Sequence, residues 1–93
     1  MLEEKIKLLA KAIWTRTDIE NYFNVSARTA IKMRDQVILK ANGLVPDSDN
    51  RVFSSAVIRY YSGNSRSEEM SILKEGVIAL EKSNKWQIRN GMW

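Results

Sequence analysis

The residues with the most informative chemistry recur at intervals of three, one and three along the sequence. Arg28, Ile31, Lys32 and Asp35 have this spacing, which places them on one face if the segment is helical. Arginine and lysine donate hydrogen bonds to guanine, aspartate accepts one from cytosine, and isoleucine can contact the thymine methyl group. With Ala27 they form the predicted set of DNA base contacts, against the alternative that such charged residues are simply solvated.

Two helix-start signals separated by a short break would position this face. Thr15 followed by Asp18 is close to a capping box, and Ser26 can cap a second helix. Asn24 lies between the two signals, where a tight turn requires a residue that tolerates the left-handed conformation. The pattern therefore predicts a helix-turn-helix. Its two helices are expected at residues 16–23 and 27–41.

Apolar residues at helical spacing predict the buried side of the helix-turn-helix. Ala30, Met33 and Val37 form the inward stripe of its second helix, with the small Ala30 where the two helices approach most closely. Trp14 stands directly before the first cap, a position from which an apolar residue can pack onto the helix near Ile19. A buried, structural tryptophan is therefore expected.

The segment before the helix-turn-helix is expected to cover the back of the two helices. Leu2, Ile6, Leu9 and Ile13 recur at spacings of four, three and four, which predicts one amphipathic helix over residues 2–13. A dimer seam is the alternative, although the stripe is short for a coiled coil.

The residues after the helix-turn-helix predict a small hairpin and a short helix. Asn42-Gly43 is expected to stop the preceding helix. Two apolar pieces flank a turn cluster within residues 44–53, which predicts a hairpin and a candidate wing. Ser54 or Ser55 is then expected to cap a helix. Its core-facing residues are predicted to be Ala56, Val57, Tyr60 and Tyr61.

The C-terminal third predicts a further helix followed by a tail. Ser65 with Glu68 forms a capping box. The apolar stripe after it fits either self-association through residues 68–82 or docking on the same chain, while the basic and aromatic residues 85–93 are expected to fray. The stripe consists of Met70, Leu73, Val77 and Leu80. The predicted domains are a helix-turn-helix domain (1–61), a linker (62–67) and a C-terminal helix and tail (68–93).

The chemical inventory excludes most classes of enzyme site. The 93 residues include no cysteine and no histidine, which removes thiol chemistry, disulfides, the usual zinc sites and histidine acid–base catalysis. Asp47-Ser48-Asp49-Asn50 has the opening of a calcium loop, but Val52 stands at its glycine position and Ile58 at its final glutamate position. We therefore expect no catalytic residue, metal, cofactor or small-molecule substrate.

The charge of the chain favours an anionic partner. The net charge is +4, and residues 15–40 carry five basic and three acidic side chains. No apolar run approaches the roughly 20 residues needed to cross a bilayer, and the acidic start Met-Leu-Glu-Glu is unlike a signal peptide. A cytoplasmic protein without membrane contact is expected.

Two runs of the sequence carry a family resemblance. The run from Ile19 to Ala30 is similar to the bacterial pattern apolar-Ala-x-x-apolar-Gly-Val-Ser-x-x-Thr-apolar, with Glu20 and Asn24 in place of the alanine and the glycine. The run from Asn50 to Tyr61 looks like a wing strand and the short helix after it. Together they resemble winged helix-turn-helix DNA-binding proteins of the excisionase and MerR-like type from phages and mobile elements, over about residues 15–61. This implies a mainly α fold with a short β-hairpin wing and a C-terminal helix.

These features together predict sequence-preferring binding of double-stranded DNA. A transcriptional regulator, an excisionase-like accessory factor and a terminase small-subunit-like protein are roles that fit. The alternative is a protein–protein interaction module on the same scaffold. Contacts with the DNA backbone are expected from Thr15, Arg16, Thr17, Ser26 and Arg51.

Overall fold

A computed structural model describes the backbone of residues 2–91 and the side chains of residues 2–79. This part of the chain is mainly helical, as predicted, with a small two-stranded antiparallel sheet. The predicted bounds of the second and third helices, residues 16–23 and 27–41, are confirmed. In chain order the elements are α1 Leu2–Ala10, β1 Ile13–Trp14, α2 Arg16–Phe23, α3 Ala27–Ala41, β2 Val52–Phe53, α4 Ser54–Ser62 and α5 Arg66–Gly91.

The predicted first helix is too long, because its last residue belongs to a strand. α1 ends at Ala10, and Ile13 with Trp14 forms β1. In the sheet Ile13 lies opposite Phe53 and Trp14 opposite Val52, so that the first pair is exposed and the second is fully buried. Helical spacing assigned Ile13 to the wrong element because its strand partner lies far away in the sequence.

The predicted hairpin over residues 44–53 is only partly formed within that segment. Leu44 and Val52 make a single antiparallel bridge, and the Val45 amide donates to the Arg51 carbonyl at 2.9 Å. The strand that contains Val52, however, has β1 as its regular partner. The chain does fold back after α3, but the sheet is completed by residues that precede α2.

Asn42 and Gly43 end α3 differently from the prediction. Asn42, rather than the glycine, is the left-handed C-cap, with φ of 50°. Gly43 is buried, and a Cβ added to it would lie 2.6 Å from Val37 Cγ1 and 2.9 Å from Ala56 Cβ. The close approach of α3 and α4 therefore requires glycine at this position.

The side chain of Asp18 fixes the start of α2. Its carboxylate accepts hydrogen bonds from the Thr15 amide at 2.9 Å and from Lys11 Nζ at 2.9 and 3.0 Å. Asp18 is nearly buried, with 6% of its surface exposed, so these donors compensate the lost hydration of its charge. The predicted relation between Thr15 and Asp18 is confirmed.

One hydrophobic core joins α1, the sheet, α2, α3, α4 and the first turns of α5. The inward stripe of α3 is confirmed for Ala30 and Val37, whereas Met33 is half-buried. The structural role of Trp14 is also confirmed, because the residue is fully buried and its indole N–H donates to the Leu8 carbonyl at 2.7 Å. The buried apolar residues are Leu9, Trp14, Ile19, Tyr22, Ala30, Val37, Val52, Val57, Ile58 and Leu73.

Neither of the two predicted serines caps α4. Phe53 occupies the N-cap position, and the helix begins at Ser54. Ser54 is fully buried, and its hydroxyl donates to the Lys11 carbonyl at 2.6 Å. Ser54 was predicted to cap α4, but its hydroxyl instead donates to a backbone carbonyl of the segment that leads into β1.

The buried face of α4 is also rotated from the prediction. Val57 is buried and Ala56 is half-buried, as expected, but Ile58 is fully buried while Tyr60 and Tyr61 are 39% and 38% exposed. The helix spacing alone allowed either side to be buried, and the side that contains Ile58 is the one that joins the core.

The first turns of α5 dock on α1, with the two helices running in opposite directions. Leu73 is 8% exposed, and a Cβ added to Gly76 would lie 3.3 Å from Leu2 Cδ1, at the start of α1. Met70, nearer the start of α5, lines a cavity together with Leu9, near the end of α1. The C-terminal helix therefore contributes to the core of its own chain.

Polar contacts fix the position of α5 relative to α2. The Tyr22 hydroxyl donates to Glu69 Oε1 at 2.8 Å, and Asn64 Nδ2 donates to the other carboxylate oxygen at 3.0 Å. The predicted capping box is confirmed, since the Glu68 amide donates to Ser65 Oγ at 3.1 Å and the Ser65 amide donates to Glu68 Oε1 at 3.3 Å. These bonds order the short connection between α4 and α5.

Most of the stripe predicted for self-association has contacts within the chain. Leu73 is buried, Met70 packs against the core, and Val77 is half-buried. The side chain of Leu80 lies outside the described residues. Association with a second copy through residues 68–82 stays a prediction, and it would have to use a different face of the helix.

Two large apolar residues are exposed on the described part of α5. Ile72 is 54% exposed and Ile78 is 51% exposed. Helical geometry places them on opposite flanks of the docked stripe, so they do not form one apolar patch. Fraying was expected for residues 85–93, but the backbone of α5 continues to Gly91; the side chains of this segment lie outside the described residues.

We expect the contact between α2 and α5 to make the protein sensitive to alkaline pH. Burial, the hydrogen bond to Glu69 and the negative charge of Glu69 raise the pKa of Tyr22 above its usual value. Above pH about 10 the unfolded chain loses this proton while the folded chain keeps it, so the free energy of unfolding falls, by up to about 1.4 kcal/mol per pH unit.

Urea unfolding between pH 8 and pH 11 measures this contribution. Tyr22→Phe should be less stable than the unmodified chain at pH 8, because the Glu69 carboxylate loses a donor, and this difference should shrink as the pH rises. Tyr60→Phe is the control at an exposed tyrosine. A difference that is the same at all pH values would contradict the assignment.

Candidate functional site

The turn between α2 and α3 is formed by the residues from which it was predicted. Asn24 adopts the left-handed conformation with φ of 54°. Ser26 is the N-cap of α3, and its hydroxyl oxygen accepts the Thr29 amide at 3.2 Å. Ala30 is fully buried between the helices. This geometry sets the direction of α3 and the residues that it exposes.

The predicted base-contacting face of α3 is exposed. Arg28, Lys32 and Asp35 are exposed, and Ile31 is 36% exposed. Ala27 differs from the expectation, because it is half-buried. The face thus presents two cations, one carboxylate and one aliphatic side chain to solvent.

A groove of about 350 Å³ lies beside this face. It brings together residues from the start of α2, the middle of α3 and the loop before β2. Five of its seven lining residues were predicted as site residues from the sequence. The groove is lined by Thr15, Arg16, Thr17, Ile31, Arg34, Asn50 and Arg51.

Two lining residues, Arg34 and Asn50, were not predicted. Arg34 lies one turn after Ile31, on the flank of α3 that faces α2 and the loop. Arg34 lies near the edge of the inward stripe of α3, and helical spacing alone does not indicate a groove at that edge. Asn50 directly precedes Arg51, and only the folded loop brings it to α2.

The charge of the groove is positive. Its three arginines are accompanied by no carboxylate among the lining residues. Two carboxylates outside the lining contact these arginines: Glu20 pairs with Arg16 Nε at 3.0 Å, and Asp35 lies 3.4 Å from Arg34 Nη2. An anionic ligand would therefore meet a surplus of positive charge.

The loop before β2 holds Arg51 in a defined position. Ser48 Oγ accepts the Arg51 amide at 3.0 Å and the Asn50 amide at 3.4 Å. Asp47 has φ of 61°, a conformation that aspartate tolerates in tight turns. These turn contacts hold Arg51, the last residue of the loop, near the start of α2.

The remaining predicted site residues do not line the groove. Ser26 is exposed at the start of α3, and its hydroxyl also donates to Thr29 Oγ1 at 3.1 Å. Arg28, Lys32 and Asp35 lie on the open face of α3. The structure therefore separates the predicted residues into an exposed helix face and an adjoining groove.

An aromatic cluster lies at the junction of α2 and α4. The ring of Tyr61 is 5.9 Å from that of Phe23 and 4.9 Å from that of Tyr60, measured between centroids. The Tyr61 hydroxyl donates to the Met33 carbonyl at 3.1 Å. Burial and the neighbouring Tyr60 raise the pKa of Tyr61. These contacts give the cluster a packing role between the helices.

The chain has no significant match among protein-family models, curated proteins or solved structures. Among the helices that the structure describes, none is both long enough and apolar enough to cross a bilayer. The functional proposal below therefore rests on the geometry of the site.

Proposed function

We propose that this chain binds double-stranded DNA with α3 in the major groove. The observation that carries the proposal is the position of Thr15, Arg16, Thr17 and Arg51, which line one groove beside the exposed face of α3. They come from segments far apart in the sequence, and each was a predicted backbone contact. A helix in the major groove has phosphates along its flanks, where such residues would contact them.

The order of the elements supports a winged helix-turn-helix arrangement. β1 precedes α2, and the loop after α3 leads into β2, which pairs with β1. Asp47 and Asp49 are exposed in this loop and would repel phosphates. We therefore expect Arg51, at the base of the loop, to contact the DNA backbone while the acidic tip stays away from it.

The biological role is a narrower proposal. A transcriptional regulator, an excisionase-like accessory factor and a terminase small-subunit-like protein would all use this surface. DNase footprinting beside the protein's own gene and beside any attachment site would distinguish the regulator from the accessory factor.

We expect Arg28→Ala and Lys32→Ala each to weaken binding to the preferred site by about 1–3 kcal/mol. The reason is that each loses a charged hydrogen-bond donor to a base edge. The preferred duplex is first selected from a random library, and its affinity is then measured by fluorescence anisotropy. Lys74→Ala is the matched control, because Lys74 is an exposed cation on α5, the helix that packs against α1.

The salt dependence separates DNA binding from the alternative function. Affinity for duplex DNA should fall steeply between 50 and 200 mM salt, because each phosphate contact releases counterions. Equal affinities for both variants and the unmodified chain would remove Arg28 and Lys32 from the interface. An absence of any binding at low salt would instead favour the protein-interaction module.

A further inference from the structure

We propose that Arg34 is a pre-positioned anchor for a phosphate of the DNA backbone, held in the groove between α2 and the loop before β2. The identity of the anion as a DNA phosphate rests on the proposed function. The anion-binding character of the groove rests on its geometry alone and can be tested separately.

The burial of Arg34 is the first observation. Its side chain is only 18% exposed, compared with 46% for Arg16 in the same groove. A long side chain that is already ordered loses little conformational entropy when a ligand arrives. Arg34 is thus better prepared for binding than the exposed cations of α3.

The hydrogen bonding of Arg34 is the second observation. Among the described side chains, Arg34 Nε is the buried nitrogen or oxygen atom that has no hydrogen-bond partner. The nearby carboxylate of Asp35 reaches only Nη2, at 3.4 Å, and is itself 54% exposed. A buried donor without an acceptor is unfavourable in the free protein. A rotation of the guanidinium group toward the groove would let a bound anion supply the acceptor.

The neighbours of Arg34 fit the same ligand. Arg16 and Arg51 line the groove from the other two elements, and Thr15 and Thr17 add hydroxyl groups at the start of α2. Guanidinium groups bind phosphate through two parallel hydrogen bonds, which a lysine cannot reproduce. The groove adjoins the face of α3 that would read bases, which is where a flanking phosphate would lie.

The test compares Arg34→Met with Arg34→Lys and with the control Lys74→Gln. Affinity for a mixed-sequence duplex is measured by anisotropy over a salt series, together with urea unfolding of each variant. Arg34→Met should bind about tenfold more weakly at 0.1 M salt, with a salt slope lower by about one. Its urea midpoint should be unchanged or higher, because the unpaired donor is gone. Arg34→Lys should bind with intermediate affinity, and Lys74→Gln should retain both affinity and slope.

Two results would overturn the proposal while leaving DNA binding intact. One is equal affinity and equal salt slope for folded Arg34→Met and the unmodified chain. The other is a loss of stability in Arg34→Met with undiminished affinity of the folded fraction, which would make Arg34 a structural residue. If Arg34→Met does not fold, Arg34→Lys decides by the same affinity comparison.

A second measurement tests the groove without DNA. The Nε–H resonance of Arg34 in a proton–nitrogen NMR spectrum should shift on titration with inorganic pyrophosphate. If the unmodified chain binds no duplex at low salt, the proposed function fails; a pyrophosphate shift would then still support the anion site. The absence of a shift would overturn the anion site as well.

Discussion

A chain that ends at Asn64 is expected to be markedly less stable than the full chain. It lacks Leu73, which is buried, and Met70, which packs against the core. Burial of one such apolar side chain contributes about 1.5–3 kcal/mol to the free energy of unfolding. The hydrogen bond between Tyr22 and Glu69 is lost as well. The free energy of unfolding should therefore fall by about 3–6 kcal/mol, a large part of the roughly 5–15 kcal/mol typical of a domain.

Urea unfolding followed by circular dichroism at 222 nm measures this loss. The matched control is a chain that ends at Ala79, which keeps the contacts of α5 described above and should retain most of the stability. If the chain ending at Asn64 unfolds at the same urea concentration as the control, residues 1–61 form an independent domain, as the sequence predicted. The comparison thus also tests the predicted linker at residues 62–67.

Trp14→Ala is expected to reduce the free energy of unfolding by about 3–5 kcal/mol. The indole is fully buried, lies 5.0 Å from the Tyr22 ring between centroids, and donates to the Leu8 carbonyl. Alanine would leave a cavity and an unsatisfied carbonyl where α1, β1 and α2 meet. Loss of this contact should weaken DNA binding too, because the start of α2 is positioned by the residue next to it.

The neighbouring residue supplies the control for this substitution. Ile13→Ala truncates the other residue of β1, but Ile13 is 38% exposed, so its loss should cost less than about 1.5 kcal/mol. Trp14→Phe should fall between the two, since it keeps an aromatic ring and loses the N–H donor. Similar urea midpoints for Trp14→Ala and Ile13→Ala would show that the packing around the indole is not central to stability.

Stability and the proposed DNA binding draw on different parts of the structure. α1, the sheet and the first turns of α5 contribute to the core behind α2 and α3, whereas Arg28 and Lys32 are exposed on α3. Substitutions on the exposed face should therefore alter affinity with little effect on unfolding. Arg34 is mostly buried and also lines the groove. The urea unfolding and the DNA affinity of Arg34 variants must therefore be measured together.

Short-range signals were sufficient to predict the helices on both sides of the turn. Thr15, Asn24 and Ser26 specify helix ends through contacts with residues a few positions away, so α2 and α3 could be placed correctly. The outward position of Arg28, Ile31, Lys32 and Asp35 followed from the same helical spacing. These are short-range effects, which one sequence is sufficient to show.

Features that depend on residues distant in the sequence became visible only in the folded chain. Ile13 and Trp14 form a strand because β2 reaches them, and Gly43 is required because Ala56 approaches it. Arg34 joins Arg51 in one groove only after the chain folds back. The spacing of apolar residues describes one helix or strand at a time. A groove forms where several elements meet, so the residues that line it can be identified only when the packing of those elements is known.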